Sequence, residues 1–494
     1  MSLKLNNTQL NKLRSPALLA RAIKTACISF LLIPFSAVMA QTDPDGDDEL
    51  FEPCHVKGVE ELAKCATLQV PLDYENPGGA MIDLGIAVLP PSGGQPTKEP
   101  LYFLAGGPGQ AATEQGLLYD RILRRARRGR TTILVDQRGT GRSSPLTCSP
   151  PLNPMAGGGE VAKTCLEQIN QDPAFFRTHD FIQDLDHVRE TLGHETLSLM
   201  GISYGTRAAL AYVRAYPARV RAMVLDSIAP PHVPIFTQDA SFASKILVQT
   251  LTDCANDIDC EAAFPNLQQR LDGILENLET TPALVTIPET DGVQVAIDNN
   301  TFLFGFRGAL YSPPATRLIP FAISEATKGN FAPWLAIADF GAQQIGDDIS
   351  VGLNLSVQCA EEVPNGKLPG EPAPSKYFPN GYDLFWKDAC EAWPAGTAPE
   401  GYNAPVKSSV PALLMSGGLD PITPPQMGDL TIEHLENAVH LIAPNAGHSV
   451  VVYGCAERLV GEFLDHADPA QLEGSCLEEI SKPVFTADRF GPKP

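Results

Sequence analysis

The sequence predicts an α/β fold, with a mostly parallel central sheet interrupted by a large, mainly helical insertion. Three observations carry that reading. Short apolar runs alternate with amphipathic helical stretches through roughly the first half of the chain, as strands and crossover helices do around a parallel sheet. The alternation is lost from about Phe236 to Ala404, where amphipathic helices mix with Pro- and Gly-rich loops. It resumes at Val410 and runs to the last helical stretch. A core that is broken once and then completed reads as one composite domain. The expected division is a leader over 1–40, a first core segment over 41–234, a cap over 235–404 and a second core segment over 405–494.

The elements follow in order. Lys4, Lys12, Arg14, Arg21 and Lys24 precede an apolar stretch from Ala26 to Val38, and Val38-Met39-Ala40 places small residues at the −3 and −1 positions of a cleavage site before Gln41. That is the pattern of a secretory signal; its apolar part is short for a membrane anchor and contains Pro34. The acidic stretch from Asp43 to Glu52 reads as flexible. Strands are expected over Ala66 to Leu72, Ile82 to Leu89, Pro100 to Ala105 and Thr131 to Asp136. A helix follows, with Phe181, Leu185, Val188 and Leu192 recurring at one face. Leu197 to Met200 is the next strand, Thr206 to Tyr216 the next helix, and Ala222 to Leu225 another strand. Beyond the insertion, strands are expected at Val410 to Met415 and Ala438 to Ile442, with helices near Pro425 to Leu435 and Arg458 to His466.

Charge and cysteine content narrow the function classes. The formal net charge is −22, and the first forty residues hold five basic and no acidic side chains, so cleavage would leave −27. Such a surface disfavours nucleic acid and anionic membranes as partners. Past residue 40 no stretch approaches the length of a membrane span, so no stable membrane association is expected after cleavage. Ten of the eleven cysteines lie beyond the leader. They fall in close couples, Cys54/Cys65, Cys148/Cys165, Cys254/Cys260, Cys359/Cys390 and Cys455/Cys476, and neighbour pairing is expected because each couple would clamp one local loop. With no C-x-x-C or His/Cys cluster to suggest zinc, the reading is a disulfide-stapled, exported enzyme, periplasmic or secreted.

The chemistry starts at Gly201-Ile202-Ser203-Tyr204-Gly205. This G-x-S-x-G stands between an apolar strand and a helix, the arrangement of the nucleophile elbow of α/β-hydrolases. Alone it is a weak signal, since chance would supply it in roughly one chain in five of this length and composition. A serine hydroxyl needs an adjacent base, and the base a third group to orient it. His448, in Asn445-Ala446-Gly447-His448-Ser449, follows the last strand on a glycine-flanked loop and is the expected base. Asp420, in Ser416-Gly417-Gly418-Leu419-Asp420-Pro421, follows the preceding strand and is the expected acid. Asp226 is its rival, because it too ends a core strand; the other reading for it is a structural carboxylate that accepts loop N–H groups. The order Ser, acid, His is that of the α/β-hydrolases. Donors for the developing oxyanion are expected from Gly107, in Gly106-Gly107-Pro108-Gly109, and from the N–H of Tyr204.

These motifs together resemble one family. Leu104-Ala105-Gly106-Gly107-Pro108-Gly109, Asp136-Gln137-Arg138-Gly139-Thr140-Gly141-Arg142-Ser143, the serine pentapeptide and Asp420-Pro421-Ile422-Thr423-Pro424 are similar to the proline iminopeptidase and tripeptidyl aminopeptidase branch of the α/β-hydrolases. The likeness runs from about Val70 to Cys476 and is weakest in the insertion. Ala105 departs from it: many proline iminopeptidases have His there, which shifts the likeness toward the tripeptidyl side.

The resemblance implies an aminopeptidase acting on peptides with a free N-terminus, without metal or cofactor. A buried α-ammonium requires a carboxylate partner. Cys359-Ala360-Glu361-Glu362 is similar to a cysteine-x-acid element of tripeptidyl aminopeptidases, so Glu361, with Glu362 second, is the expected amine anchor. Phe302, Phe306, Tyr311, Phe385 and Trp386 would line a pocket or form cap core. Asp136 and Arg138 read as structural, under the oxyanion loop. Two alternatives use the same residues: an esterase or other small-molecule acyl hydrolase, and an inactive hydrolase-fold binding module. Neither the cleaved residue nor the oligomeric state is specified by these motifs.

Overall fold

The structure, a computed structural model, describes residues 50–491 apart from 117–118, 120–121, 150–156, 236–238, 288–293, 346–348, 366–374, 379–380 and 489–490. The signal segment expected over 1–40 and most of the acidic stretch after it lie outside the described residues.

The N-terminal strands are β1 (Glu52–Cys54), β2 (Ala63–Pro71) and β3 (Met81–Leu89), followed by β4 (Leu101–Leu104) and β5 (Thr132–Val135). Then come α1 (Gly158–Leu166), α2 (Thr178–Thr191), β6 (Leu197–Ile202), α3 (Tyr204–Ala215) and β7 (Val220–Asp226). The stretch between β7 and the next sheet strand holds α4 (Asp239–Asn256), α5 (Ile258–Ala263), α6 (Leu267–Thr280), the hairpin β8 (Ala283–Thr286) and β9 (Gln294–Ile297), and α7 (Asn299–Arg307). It continues through α8 (Pro313–Thr316), α9 (Ile319–Ala326), α10 (Ala332–Ile345), α11 (Val351–Val357) and α12 (Gly381–Ala392). The chain closes with β10 (Ala412–Gly417), α13 (Pro425–Ile432), β11 (Ala438–Ala443) and α14 (Ala456–His466).

Nine strands form one sheet in the order β1-β2-β3-β5-β4-β6-β7-β10-β11. The ladders joining β1, β2, β3 and β5 are antiparallel; those from β5 through β11 are parallel. This is the mostly parallel α/β-hydrolase sheet that the strand pattern predicts. The central strands are mostly apolar and almost wholly buried because both faces are covered, with Thr132, Ser198 and Ser416 as buried polar exceptions. Tyr102, Leu199, Met223 and Leu414 join one core with Phe181, Leu185 and Val188 of α2 and Leu210 and Val213 of α3. Their strand neighbours Phe103, Met200, Val224 and Leu413 face the other way, into a second core with Leu459, Val460 and Phe463 of α14. The helices after β7 enclose a separate apolar cluster around Phe302, Phe306 and Trp334.

The helix α1 (Gly158–Leu166), β1 and the β8–β9 hairpin escape the sequence pattern. Glu52–Cys54 pairs with β2 as an edge strand that begins at the last residue of the acidic stretch expected to be flexible. The β8–β9 hairpin stands apart from the main sheet, in a region that reads as helices and loops. All five neighbour disulfides are present: Cys54–Cys65, Cys148–Cys165, Cys254–Cys260, Cys359–Cys390 and Cys455–Cys476. No helix among the described residues is long and apolar enough to cross a membrane.

Candidate active site

Ser203 stands where β6 turns into α3. Its backbone is held at φ 56° and ψ −125°, a conformation that a non-glycine residue keeps only where its surroundings impose it. The Ser203 N–H donates to the Asp226 carbonyl at 2.9 Å. The Ser203 carbonyl in turn accepts the Thr206 N–H at 2.9 Å and the Thr206 hydroxyl at 2.6 Å. Both glycines of the pentapeptide are sterically required. A Cβ on Gly201 would lie 2.3 Å from the Gly205 carbonyl oxygen, and one on Gly205 only 2.1 Å from that of Leu104.

Asp420 and His448 are delivered by the loops after β10 and β11. His448 Nδ1 lies 2.8 Å from Asp420 Oδ2, and the Asp420 side chain is fully buried. Asp420 Oδ1 accepts the N–H groups of Ile422 and Thr423, each at 2.9 Å, and the Thr423 hydroxyl donates to Oδ2 at 2.8 Å. Thr423 Oγ1 is also 3.3 Å from His448 Nδ1, a neighbour that sequence reasoning missed although it lies inside the Asp-Pro-Ile-Thr-Pro motif. Burial works to raise the Asp420 carboxyl, but the His448 imidazole and the N–H donors outweigh it and hold the group below its ordinary value. For His448, burial works downward, and the Asp420 carboxylate, aided by Asp226, holds the imidazole above its ordinary value. The Tyr311 ring packs edge-on against the imidazole at 5.1 Å between centroids, and the Tyr311 carbonyl accepts the His448 N–H at 3.1 Å.

Asp226, the rival acid, has a different environment. Its carboxylate accepts the N–H groups of Val450 at 2.8 Å and Val451 at 2.9 Å, and the Ser227 hydroxyl accepts that of Ser449 at 2.8 Å. It is a buried anchor for the loop that carries His448, and burial pushes its carboxyl up to about 6.

A cavity of about 710 Å³ opens over Ser203. Gly107, Pro108, Ser203, Tyr204 and Thr423 line its floor end, and Arg207, Arg307, Tyr311, Phe304, Trp334, Asn354, Gln358, Phe385 and Trp386 stand among its walls. Of the aromatic side chains the sequence singles out, Tyr311, Phe385 and Trp386 face this space, whereas Phe302 and Phe306 are buried in the helical cluster. Gly107 adopts φ 108°, a backbone that favours glycine. The Gly-Pro loop is tied to the helical region through Asn354 Nδ2, which donates to the Pro108 carbonyl at 2.8 Å.

Glu361 and Glu362 lie behind the cavity wall, on a π-helical turn spanning Gln358–Glu362. Both are buried, at 1% exposure. Glu361 accepts from the Thr178 N–H at 2.7 Å, the Thr178 hydroxyl at 2.8 Å and the Tyr402 hydroxyl at 2.6 Å. Thr178 Oγ1 is 2.7 Å from the Tyr204 hydroxyl, which also receives Gln137 Nε2 at 2.9 Å. Glu362 pairs with Arg207, whose guanidinium donates to the carbonyls of Ala229, Pro230 and Val233 as well. In the free protein neither carboxylate stands on the cavity wall; both are engaged by neighbouring side chains.

Asp136 and Arg138 also face away from the cavity. Arg138 donates to both oxygens of Asp184, at 2.7 and 2.6 Å, and to the carbonyls of Pro71, Leu72 and Phe175. Asp136 receives the N–H and hydroxyl of Thr113 and the N–H of Arg142.

Comparison with known proteins yields two family matches. Residues 99–257 match the family described as alpha/beta hydrolase fold, and residues 377–476 match that described as TAP-like protein. Serine protease Hip1 of Mycobacterium tuberculosis (strain ATCC 25618 / H37Rv) is 25% identical over 448 residues, covering 81% of this chain and 85% of that protein. Tripeptidyl aminopeptidase of Streptomyces lividans is 28% identical over 195 residues, 34% of this chain and 36% of its own length. Proline iminopeptidase of Neisseria meningitidis serogroup B (strain ATCC BAA-335 / MC58) is 29% identical over 157 residues, 31% of this chain and 41% of that one.

Proposed function

We infer that this chain, a member of the proline iminopeptidase and tripeptidyl aminopeptidase family of α/β-hydrolases, is an exported serine aminopeptidase that cleaves peptides near a free N-terminus. The observation that carries the reading is the Asp420–His448 pair beside a cavity lined by Ser203, Tyr204 and Gly107. With Asp420 accepting from Nδ1, the imidazole keeps a bare lone pair on Nε2. His448 then takes the proton as Ser203 Oγ attacks the scissile carbonyl, and the N–H groups of Gly107 and Tyr204 receive the oxyanion. His448 returns the proton to the leaving amine, and water releases the acyl group in a second half-reaction. The five disulfides support export to the periplasm or beyond.

The region from 235 to 404 acts in this reading as a cap whose walls choose the substrate. Glu361 and Glu362 act on the substrate's ammonium group through space. They lie behind the wall formed by Tyr204 and Gln358, where Arg207 and Arg177 face Glu361 and burial pushes its carboxyl up, so that only its ionised share attracts the ammonium. Glu361→Gln is then expected to raise KM for free-amine peptides and to leave N-acetylated ones unaffected.

The test is a panel of peptidyl amides with free and acetylated N-termini, set beside simple esters, after confirming that a fluorophosphonate labels Ser203. Cleavage of free-amine amides supports the aminopeptidase. Rapid turnover of esters with inert amides would establish the esterase reading instead. A folded protein that takes no label would make the fold a binding module.

A further inference from the structure

We propose that Gln358 is a substrate-binding, specificity-determining residue whose carboxamide engages a peptide group on the acyl side of the scissile bond, favouring acyl groups of two or more residues over a single amino acid. This rests on the peptidase reading above.

Gln358 follows α11 and opens the π-helical turn that carries Glu361 and Glu362. Its side chain is completely buried and forms part of the wall of the cavity that contains Ser203. Neither Nε2 nor Oε1 has a hydrogen-bond partner among the described residues. Beside it α11 contributes Leu355, Val357 and Asn354 to the lining, the last engaged with the Pro108 carbonyl, and Trp386 lines the same cavity. A leucine or methionine would fill the same volume without burying an unpaired donor and acceptor, which is destabilising. A carboxamide left unsatisfied on a cavity wall is therefore a group kept for a ligand, and π-helical turns recur at such positions.

The chemistry of the carboxamide selects the ligand, because it offers donors on Nε2 and an acceptor on Oε1. A single aminoacyl group has one carbonyl, and that carbonyl is the scissile one, directed to Gly107 and Tyr204. Its amine can satisfy Oε1, yet nothing remains to accept from Nε2. An acyl group of two or more residues adds a second carbonyl and satisfies both atoms. The cavity volume of about 710 Å³ lies well within the range of sites that take drug-sized ligands and exceeds the bulk of one prolyl group several-fold. A site with buried polar groups discriminates sharply against ligands that leave those groups unpaired.

The test compares fluorogenic amides of Ala, Ala-Ala and Ala-Ala-Ala, with free and acetylated N-termini, on the wild type and on Gln358→Met. The expected result is a loss of roughly tenfold in kcat/KM on the two longer acyl groups. The single-residue amide should change by less than about threefold, and the thermal midpoint should rise because two unpaired polar atoms are removed. Equal losses at all lengths, or none at any length, would overturn the proposal. The wild type supplies a second measurement that needs no variant: the masses of fragments released from a mixed peptide digest. Fragments of two or more residues support the proposal, and predominant release of single residues sinks it. The acetylated series separates the two readings, since equal cleavage of blocked peptides removes the aminopeptidase assignment while the length dependence of Gln358→Met is still read.

Discussion

Ser203 and Asp226 are joined end to end across adjacent strands: the Ser203 N–H donates to the Asp226 carbonyl at 2.9 Å. The Asp226 carboxylate meanwhile holds Val450 and Val451. One residue thus fixes the backbone of the serine and the loop bearing the histidine, through different atoms. Asp226→Ala leaves the serine turn in place and strips two buried N–H groups of their acceptor. We expect a loss of about 2 kcal/mol or more in unfolding free energy and a fall in kcat with little change in KM, measured by denaturant titration and steady-state kinetics.

The protonation of His448 sets the pH profile. Asp420 holds the imidazole above its usual value of 6.5, and only the neutral form accepts the serine proton. Activity should therefore fall on acidification with a midpoint above 6.5, read from kcat/KM against pH. The linked stability has the opposite direction. The contribution of His448 is fully present below 6.5 and is lost as pH rises through the folded value, while that of Asp420, held below its ordinary value, is lost only on strong acidification.

Asp420→Asn should move that acid limb to lower pH, because the carboxylate that favours the imidazolium is gone. The same variant should lower kcat by roughly 10³–10⁴-fold, since an amide does not enforce the Nδ1–H tautomer. Stopped assays across pH separate the two effects.

Glu362→Gln removes the charge that pairs with buried Arg207. Breaking one side of a buried ion pair costs about 3–5 kcal/mol, so this variant should melt well below the wild type. Restoring apolar volume at both positions, with Arg207→Met and Glu362→Leu together, should recover much of the loss; calorimetry on the three variants checks it.

Cys359 and Cys390 close a segment with a sequence separation of 31, joining the residue after Gln358 to α12. Replacing both with serine should lower stability by about 3 kcal/mol. It should also raise KM, because Phe385 and Trp386 on α12 form part of the cavity wall. Denaturant midpoints and KM values for one peptide amide are the measurements.

The central sheet was legible because Leu197–Ile202 and Ala412–Gly417 are buried on both faces and read as short, mostly apolar runs. The cysteine couples were legible because each bridge is local. β1 was not, because Glu-Pro-Cys is too short to show a pattern and its pairing with β2 makes it a strand. At the site, the order of Ser203, Asp420 and His448 could be read from motifs. The work of Asp226 on Val450 could not, since a carboxylate at a strand end looks alike whether it binds an imidazole or two amides. The company of Glu361 was equally hidden: Thr178 and Tyr402 lie 183 and 41 residues away in the chain, with no periodicity to link them.

The two glutamates on the π-helical turn bear on cooperativity. Glu361 is bonded to Thr178 at the start of α2, and Glu362 to Arg207 within α3, both helices packed on the central sheet. Opening the turn on its own would leave the buried Arg207 without its carboxylate on one side and the Thr178 N–H and hydroxyl without their acceptor on the other, a cost that opposes separate opening. The helices after β7 and the sheet should therefore melt in one transition, and the amides of Val351–Glu362 should exchange with solvent only as slowly as the sheet itself.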